Sequence, residues 1–212
     1  MRGKFITLEG GEGVGKSTQA KRLVEYLASQ GIKAIATREV GGSKSAEEIR
    51  ALWLSKGEGY WDPLSEVLLI MAARREHMTH TILPAIEGGT WVVSDRFIDS
   101  TRAYQGVGLG VGLDKIDAIY KEIAGDFWPD LTLLLDTPVE IGMSRMAARK
   151  GQDDRYQQQK IAFHETLRKA YHSIAAREEK RFRLIDASAN MDAVAVSIAK
   201  TVSEYFGIKV SS

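Results

Sequence analysis

Cysteine is absent from all 212 residues. That removes disulfides, zinc-thiolate sites and thiol nucleophiles from consideration. No apolar run approaches the roughly 20 residues needed to cross a bilayer. The N-terminus enters a predicted strand at once, without the basic-then-apolar layout of a secretion signal. The expectation is a soluble protein of a reducing compartment, most simply the cytoplasm, with no membrane partner. A dominant charge is lacking too. The formal net charge is +1, so a general nucleic-acid binder is not expected, local basic patches aside. Three motif sets are also missing. No Asn-Lys-x-Asp segment reads guanine, and Asp95-Arg96-Phe97-Ile98 lacks the Asp-x-x-Gly form of GTPase switches. The His-Arg-Asp and Asp-Phe-Gly segments of protein kinases do not occur.

What is present is ordinary in bulk and specific in detail. A hydrophobic fraction of 44 % and a charged fraction of 27 % suit a globular protein. The length suits one domain, residues 1–212, with a full core. Five apolar segments read as strands: Phe5 to Glu9, Lys33 to Glu39, Trp91 to Asp95, Leu131 to Asp136 and Arg181 to Asp186. Helical periodicity fills the intervals, from Lys16, from Ser45 to Lys56, Pro63 to Ile86, Asp114 to Ala124, Val139 to Arg149 and Tyr156 to Arg177. A last helix carries Met191, Val194, Ala195, Ile198, Ala199, Val202 and Phe206 on one face. This alternation predicts an α/β fold, a five-stranded parallel sheet with helices on both faces.

Residues 10–17 read Gly-Gly-Glu-Gly-Val-Gly-Lys-Ser, which fits Gly-x-x-x-x-Gly-Lys-Ser/Thr at Gly10, Gly15, Lys16 and Ser17. A strand precedes the octet and a helix follows it, the order that a phosphate-binding loop requires. Small residues let backbone N–H groups wrap a phosphate, and the helix N-terminus adds partial positive charge. Lys16 is expected to reach the terminal phosphates and Ser17 to hold a magnesium ion. The plainer alternative is a glycine-rich turn.

Charged residues gather at strand C-terminal ends: Glu9, Arg38-Glu39, Asp95, Asp136 and Asp186. Open parallel sheets bind ligands there, although capping the next helix is the plainer reading of Asp136 and Asp186. Asp95 suits the magnesium shell, and Arg96 beside it suits a phosphate. Ile70, Arg74 and His77 share a helix face, offset from an apolar stripe of Leu64, Val67, Leu68, Met71 and Arg75. An apolar residue one turn before an arginine can clamp a flat base. Thr101, Tyr104 and Gln105 offer hydrogen bonds for a sugar and a base, after which glycines 106, 108, 110 and 112 break the helix. Arg145, Arg149, Lys150 and Arg155, hinged at Gly151, read as a short basic lid over residues 145–156.

Together these segments resemble the bacterial thymidylate kinase family. The resemblance rests on Phe5 to Gly10, the glycine loop, Thr37-Arg38-Glu39-x-Gly41-Gly42, Ala72-Ala73-Arg74, Asp95-Arg96-Phe97, Ala103-Tyr104-Gln105-Gly106, Pro129 to Leu133 with Asp136-x-Pro138-x-Glu140, and the Arg149-to-Arg155 segment. It implies a P-loop NTPase fold, transfer of the terminal phosphate of ATP to dTMP, a magnesium requirement and a homodimer. ATP contacts are then implied for Gly10, Gly11, Glu12, Gly13, Val14, Gly15, Lys16, Ser17, Thr18 and Arg145. Arg96 would bind the dTMP phosphate, Arg74 the thymine edge, and Thr101 and Gln105 further parts of the base. Tyr104 would lie near the sugar and help exclude a 2′-hydroxyl, and Glu12 would contact the same sugar. Glu39 and Arg50 are further substrate-side assignments. Some members carry a catalytic arginine in the glycine loop and others in the lid. With Glu12 in the loop here, Lys16, Arg96, Arg149 and Arg155 are the implied catalytic set.

Three positions depart from the family pattern. Val40 and Ser43 stand where Pro and Thr are usual. Ile70 stands where a Phe stacks on thymine, offering an apolar face without the aromatic quadrupole. Two rival readings remain open, a kinase of another nucleotide or nucleoside and a P-loop switch that signals through a partner.

Overall fold

The five strands β1 (Phe5–Glu9), β2 (Ala34–Arg38), β3 (Trp91–Asp95), β4 (Leu131–Asp136) and β5 (Phe182–Asp186) form one sheet in the order β2-β3-β1-β4-β5. Every neighbouring pair is parallel, as the alternation predicts. The structure is a computed structural model that describes residues 2–56, 59–147 and 160–208. Along a strand successive side chains point to opposite faces. Ile6, Leu8, Val93, Leu131, Leu133, Leu135 and Ile185 therefore form one buried layer with α1 (Lys16–Ser29) and α9 (Met191–Phe206). Phe5, Val92, Leu134 and Phe182 belong to the opposite layer. That layer holds α2 (Lys44–Leu54), α3 (Pro63–His77), α4 (Leu83–Glu87), α5 (Ile98–Thr101), α6 (Leu113–Ala124) and α8 (Ile161–Arg177). Burial on both faces explains why the strands read as apolar runs. A further helix, α7 (Val139–Ala147), follows β4.

Two helical stretches differ from expectation. The helix expected from Pro63 to Ile86 passes through a π segment, Met78–Ile82, before α4. After Thr101 the backbone continues as a second π segment, Arg102–Gly108, so Gly106 and Gly108 lie within helical turns and only Gly110 and Gly112 adopt positive φ in the loop that ends them. A π turn closes i→i+5 hydrogen bonds in place of i→i+4 and is rare enough that a helical period does not announce it.

The apolar stripe expected on α3 holds only in part: Val67 and Met71 are buried in the core, but its other members turn outward. Leu64 and Leu68, placed in its apolar stripe, are 38 % and 52 % exposed. Arg75 is exposed with them, while Ile70, Arg74 and His77 are buried. Arg74 and His77 can face inward because Glu39 bonds both. Asp62 caps this helix through Leu64 N and Ser65 N, with Pro63 at the first turn. Neither Asp136 nor Asp186 caps the helix that follows it. Asp136 pairs with Arg168 and His172, Asp186 accepts from Ser188, and Asn190 caps α9.

Candidate active site

β1 ends at Glu9 and the chain turns through Gly10–Gly15 into α1. The turn passes so close to α7 that a Cβ on Gly13 (φ +70°) would lie 1.9 Å from the Gly142 carbonyl oxygen. Glycine is the residue that fits both constraints. Gly15 is the N-cap of α1, and it offers no side-chain cap to the helix's first N–H groups. Those donors and the helix dipole face an anion site. Lys16 folds back over the loop, its Nζ donating to Gly10 O at 3.0 Å and Gly11 O at 2.6 Å. Burial and the nearby Arg96 charge pull its pKa below the ordinary lysine value, against the opposing carboxylates of Glu12, Asp95 and Glu9. Ser17 and Thr18 occupy the first turn of the helix.

Ser17 Oγ donates to Asp95 Oδ2 at the end of β3. The other oxygen, Oδ1, is buried and has no hydrogen-bond partner among the described residues. A buried carboxylate oxygen beside a loop hydroxyl fits the protein side of a magnesium site, which takes few protein ligands and completes its shell with phosphate and water. No cluster of three or more His, Asp or Glu occurs among the described residues, so a dedicated all-protein metal cage is not what these residues build.

Arg96 sits one residue past β3 with φ +71°, the one non-glycine residue with positive φ among those described. L-residues rarely adopt this conformation, and when they do it is often at functional sites. The turn is held by Arg96 N donating to Leu8 O (3.0 Å), Ser94 Oγ donating to Arg96 O (2.7 Å) and Phe97 N donating to Glu9 Oε1 (2.7 Å). Its guanidinium then points back at the glycine loop. Nη2 pairs with Glu12 and donates to Tyr104 OH, while Nη1 reaches Ser100 Oγ, Tyr171 OH and Gly10 O. The guanidinium also lies over the Tyr104 ring, 5.0 Å from its centroid. Tyr104 OH donates to Glu12, and burial raises its pKa well above the ordinary tyrosine value.

A second arginine lies deeper. Arg74 Nε donates to Glu39 Oε2 (2.7 Å) and Nη2 to Thr101 Oγ1 (3.0 Å), over the face of Phe97. His77 bridges Glu39 Oε1 and Thr37 Oγ1. Gln105 Nε2 donates to Glu66 Oε1. Ile70 is buried in a cluster with Val40, Ala73 and Tyr104. Arg50 Nη1 donates to Val40 O, bracing the loop after Glu39. So Glu39, Arg74 and Thr101 come together, as do Glu12, Arg96 and Tyr104. Arg145 lies apart, its guanidinium donating to the carbonyls of Ala187, Ser188 and Ala189 after β5. Arg149 and Arg155, with most of the expected lid, lie outside the described residues.

Sequence reasoning missed Ser100 and Tyr171. Ser100 stands four residues after Arg96, close in the chain; Tyr171 is 75 residues away and carries no such signal. His77 was noted only for sharing a face with Arg74. A cleft of about 400 Å³, open mouth included, lies against the loop and is lined by Gly10, Gly11, Glu12, Thr137, His164 and Tyr171, among others. The arrangement therefore offers an anion cradle, a magnesium-compatible pair and a second cationic site facing the cradle.

The sequence model of the thymidylate kinase family matches residues 8–198 of this chain. The chain belongs to the thymidylate kinase family. Its similarity to individual relatives runs nearly end to end. A thymidylate kinase of Bradyrhizobium sp. (strain ORS 278) is 48 % identical over 96 % of this chain and 91 % of its own length. One from Alkalilimnicola ehrlichii is 46 % identical over 95 % and 93 %. One from Caulobacter vibrioides is 45 % identical over 98 % and 99 %. The P-loop α/β fold of the thymidylate kinase family agrees with the parallel sheet and its glycine turn.

Proposed function

We propose that this chain, as one kinase domain, transfers the terminal phosphate of ATP to dTMP, yielding ADP and dTDP for dTTP synthesis. The observation that carries the reading is the meeting of two cationic side chains. Lys16, from the donor cradle, and Arg96, from the opposing site, both reach Gly10 O. Phosphoryl transfer asks little covalent chemistry of a protein; it asks for in-line alignment and charge neutralisation. The loop N–H groups and Lys16 hold the donor phosphates, and Arg96 holds the acceptor phosphate. Ser17 and Asp95 would hold magnesium, which neutralises charge on the donor phosphates. Arg74 supports recognition of the base edge, with Thr101 and Gln105 beside it and Ile70 supplying an apolar face. Tyr104, fixed by Glu12, is suited to crowd the sugar where a 2′-hydroxyl would stand. Arg145 braces the segment after β5, a place suited to the ATP base. Arg149 and Arg155 remain the residues proposed to stabilise charge on the transferring phosphoryl group.

A homodimer is part of the proposal, supported by the exposed Leu64 and Leu68 on α3. No described helix is long and apolar enough to cross a membrane. The cytoplasm is the proposed location because both co-substrates occur there. A substrate panel with ATP and magnesium tests the reading: turnover of dTMP above dUMP, dCMP and thymidine is expected, and turnover of dCMP or thymidine with none of dTMP would overturn it.

A further inference from the structure

Glu9 is fully buried at the end of β1, next to the glycine loop, and no step above uses it. Its carboxylate accepts three hydrogen bonds: from Phe97 N at 2.7 Å, Ser100 Oγ at 2.6 Å and Tyr171 OH at 3.3 Å. All three bear on Arg96. Phe97 N belongs to the peptide that follows the positive-φ turn at Arg96. Ser100 Oγ and Tyr171 OH, 2.9 Å apart, are the two hydroxyls that meet Arg96 Nη1, at 3.1 and 3.5 Å.

We propose that Glu9 is a positioning residue: it sets the hydroxyls of Ser100 and Tyr171, and the Phe97 N–H, so that Arg96 is aimed at the acceptor phosphate. This rests on Arg96 being the phosphate ligand. The proton arrangement explains why a carboxylate is needed. Ser100 has one hydrogen to give and must accept from Arg96 Nη1. With Glu9 ionised, that hydrogen goes to Oε2 and a lone pair faces the guanidinium. With Glu9 protonated, or replaced by an amide that presents N–H groups, residue 9 no longer takes that hydrogen: it turns to Tyr171 OH, and Ser100 accepts from residue 9 in competition with Arg96 Nη1.

This exchange falls within the working pH range. Burial and the Asp99 carboxylate raise the Glu9 pKa from 4.5 to about 7, against the Ser100 and Phe97 hydrogen bonds and the Arg96 charge. Lys16 and Tyr171 also face Glu9, as charge and hydroxyl respectively. The acid form of Glu9 therefore weakens the grip of Arg96.

The test is steady-state kinetics of Glu9→Gln across pH 6 to 8. The variant is expected to raise KM for dTMP roughly tenfold at pH 8, with KM for ATP nearly unchanged. The wild type is expected to lose dTMP affinity as pH falls through about 7, and the variant to show only the titration of the phosphate monoester itself, near pH ~6. An unchanged KM for dTMP with a wild-type pH profile would overturn the proposal; so would an equal rise in both Michaelis constants. If Glu9→Gln does not fold, Ser100→Ala and Tyr171→Phe decide, because they remove the relayed contacts and keep the carboxylate. At least one must raise KM for dTMP selectively, and no effect from either sinks the idea. Arg96→Ala is the control for the underlying reading: if dTMP binding survives it, the assignment of Arg96 has failed, not the coupling to Glu9.

Discussion

Lys16 and Arg96 converge on one atom, the carbonyl oxygen of Gly10, from 3.0 and 3.5 Å. Two cations that share an acceptor are close enough to grip two phosphates placed end to end. Without anions between them their repulsion is unfavourable, and it contributes to lowering the Lys16 pKa. The carboxylates of Glu12, Asp95 and Glu9 offset part of that charge.

Lys16→Ala should separate folding from chemistry. Its ammonium bonds only to loop carbonyls among the described contacts, so the thermal midpoint should shift little. Turnover should fall by roughly 10²-fold or more, the scale for removing a preorganised charge from a transition state. Circular dichroism melting and a coupled ADP assay on the same preparation report the two effects. Near-normal turnover would remove Lys16 from the donor site.

The Glu39–Arg74 pair should behave in the opposite way. Both side chains are almost wholly buried, and Glu39 also serves His77. Glu39→Ala leaves a buried guanidinium without its carboxylate, which costs about 3–5 kcal/mol for breaking such a pair. Urea unfolding should show that loss as a lower midpoint. A change below ~1 kcal/mol would mean that the pair is not buried as described.

Ile70 is the position where an apolar residue stands in place of a stacking aromatic. Ile70→Phe should tighten dTMP binding by about 0.5–1.5 kcal/mol if the ring meets the base. Its surroundings, Val40, Ala73 and Tyr104, are packed, so overpacking by about 1–3 kcal/mol should appear as reduced stability. Calorimetric titration with dTMP, set beside a melting curve, distinguishes the two. A loss of stability with no gain in affinity would place residue 70 away from the base.

Asp136 and Glu9 give opposite pH signatures. Arg168 bonds Asp136 through Nε and Nη2, both at 2.8 Å, and lowers its pKa. Its contribution is complete above the unfolded carboxylate value of about 3.9 and is lost as pH falls through the lower folded value. Glu9, raised from 4.5 to about 7, works the other way: ionising it costs stability as pH rises through that window. Arg168→Gln should therefore make acid unfolding begin at higher pH, while Glu9→Gln should flatten the stability curve between pH ~5 and ~8. An unchanged acid midpoint for Arg168→Gln would contradict the first assignment.

The sheet was legible because its strands are buried on both faces. Leu131 to Leu135 can be little else than an internal strand in a chain that alternates with amphipathic helices. The glycine octet was legible because its backbone demands leave few substitutes at Gly13. Other features had no local signal. Leu64 and Leu68 of the apolar stripe on α3 are exposed while Arg74 and His77, polar by sequence, are buried, because Glu39 from another element bonds both. The hydrogen bonds that join Glu9 to Ser100 and Tyr171 span 91 and 162 residues, and no spacing rule reaches that far. The π segments at Met78–Ile82 and Arg102–Gly108 differ from α-helix in turn geometry, which local composition does not report.

The most direct test is to separate the products after incubating the protein with γ-labelled ATP, dTMP and magnesium. Label appearing in dTDP, in equal amount to the ADP formed and absent for Lys16→Ala, is the predicted result. Label released as inorganic phosphate, with no dTDP, would contradict the account and point to a nucleotide-driven switch.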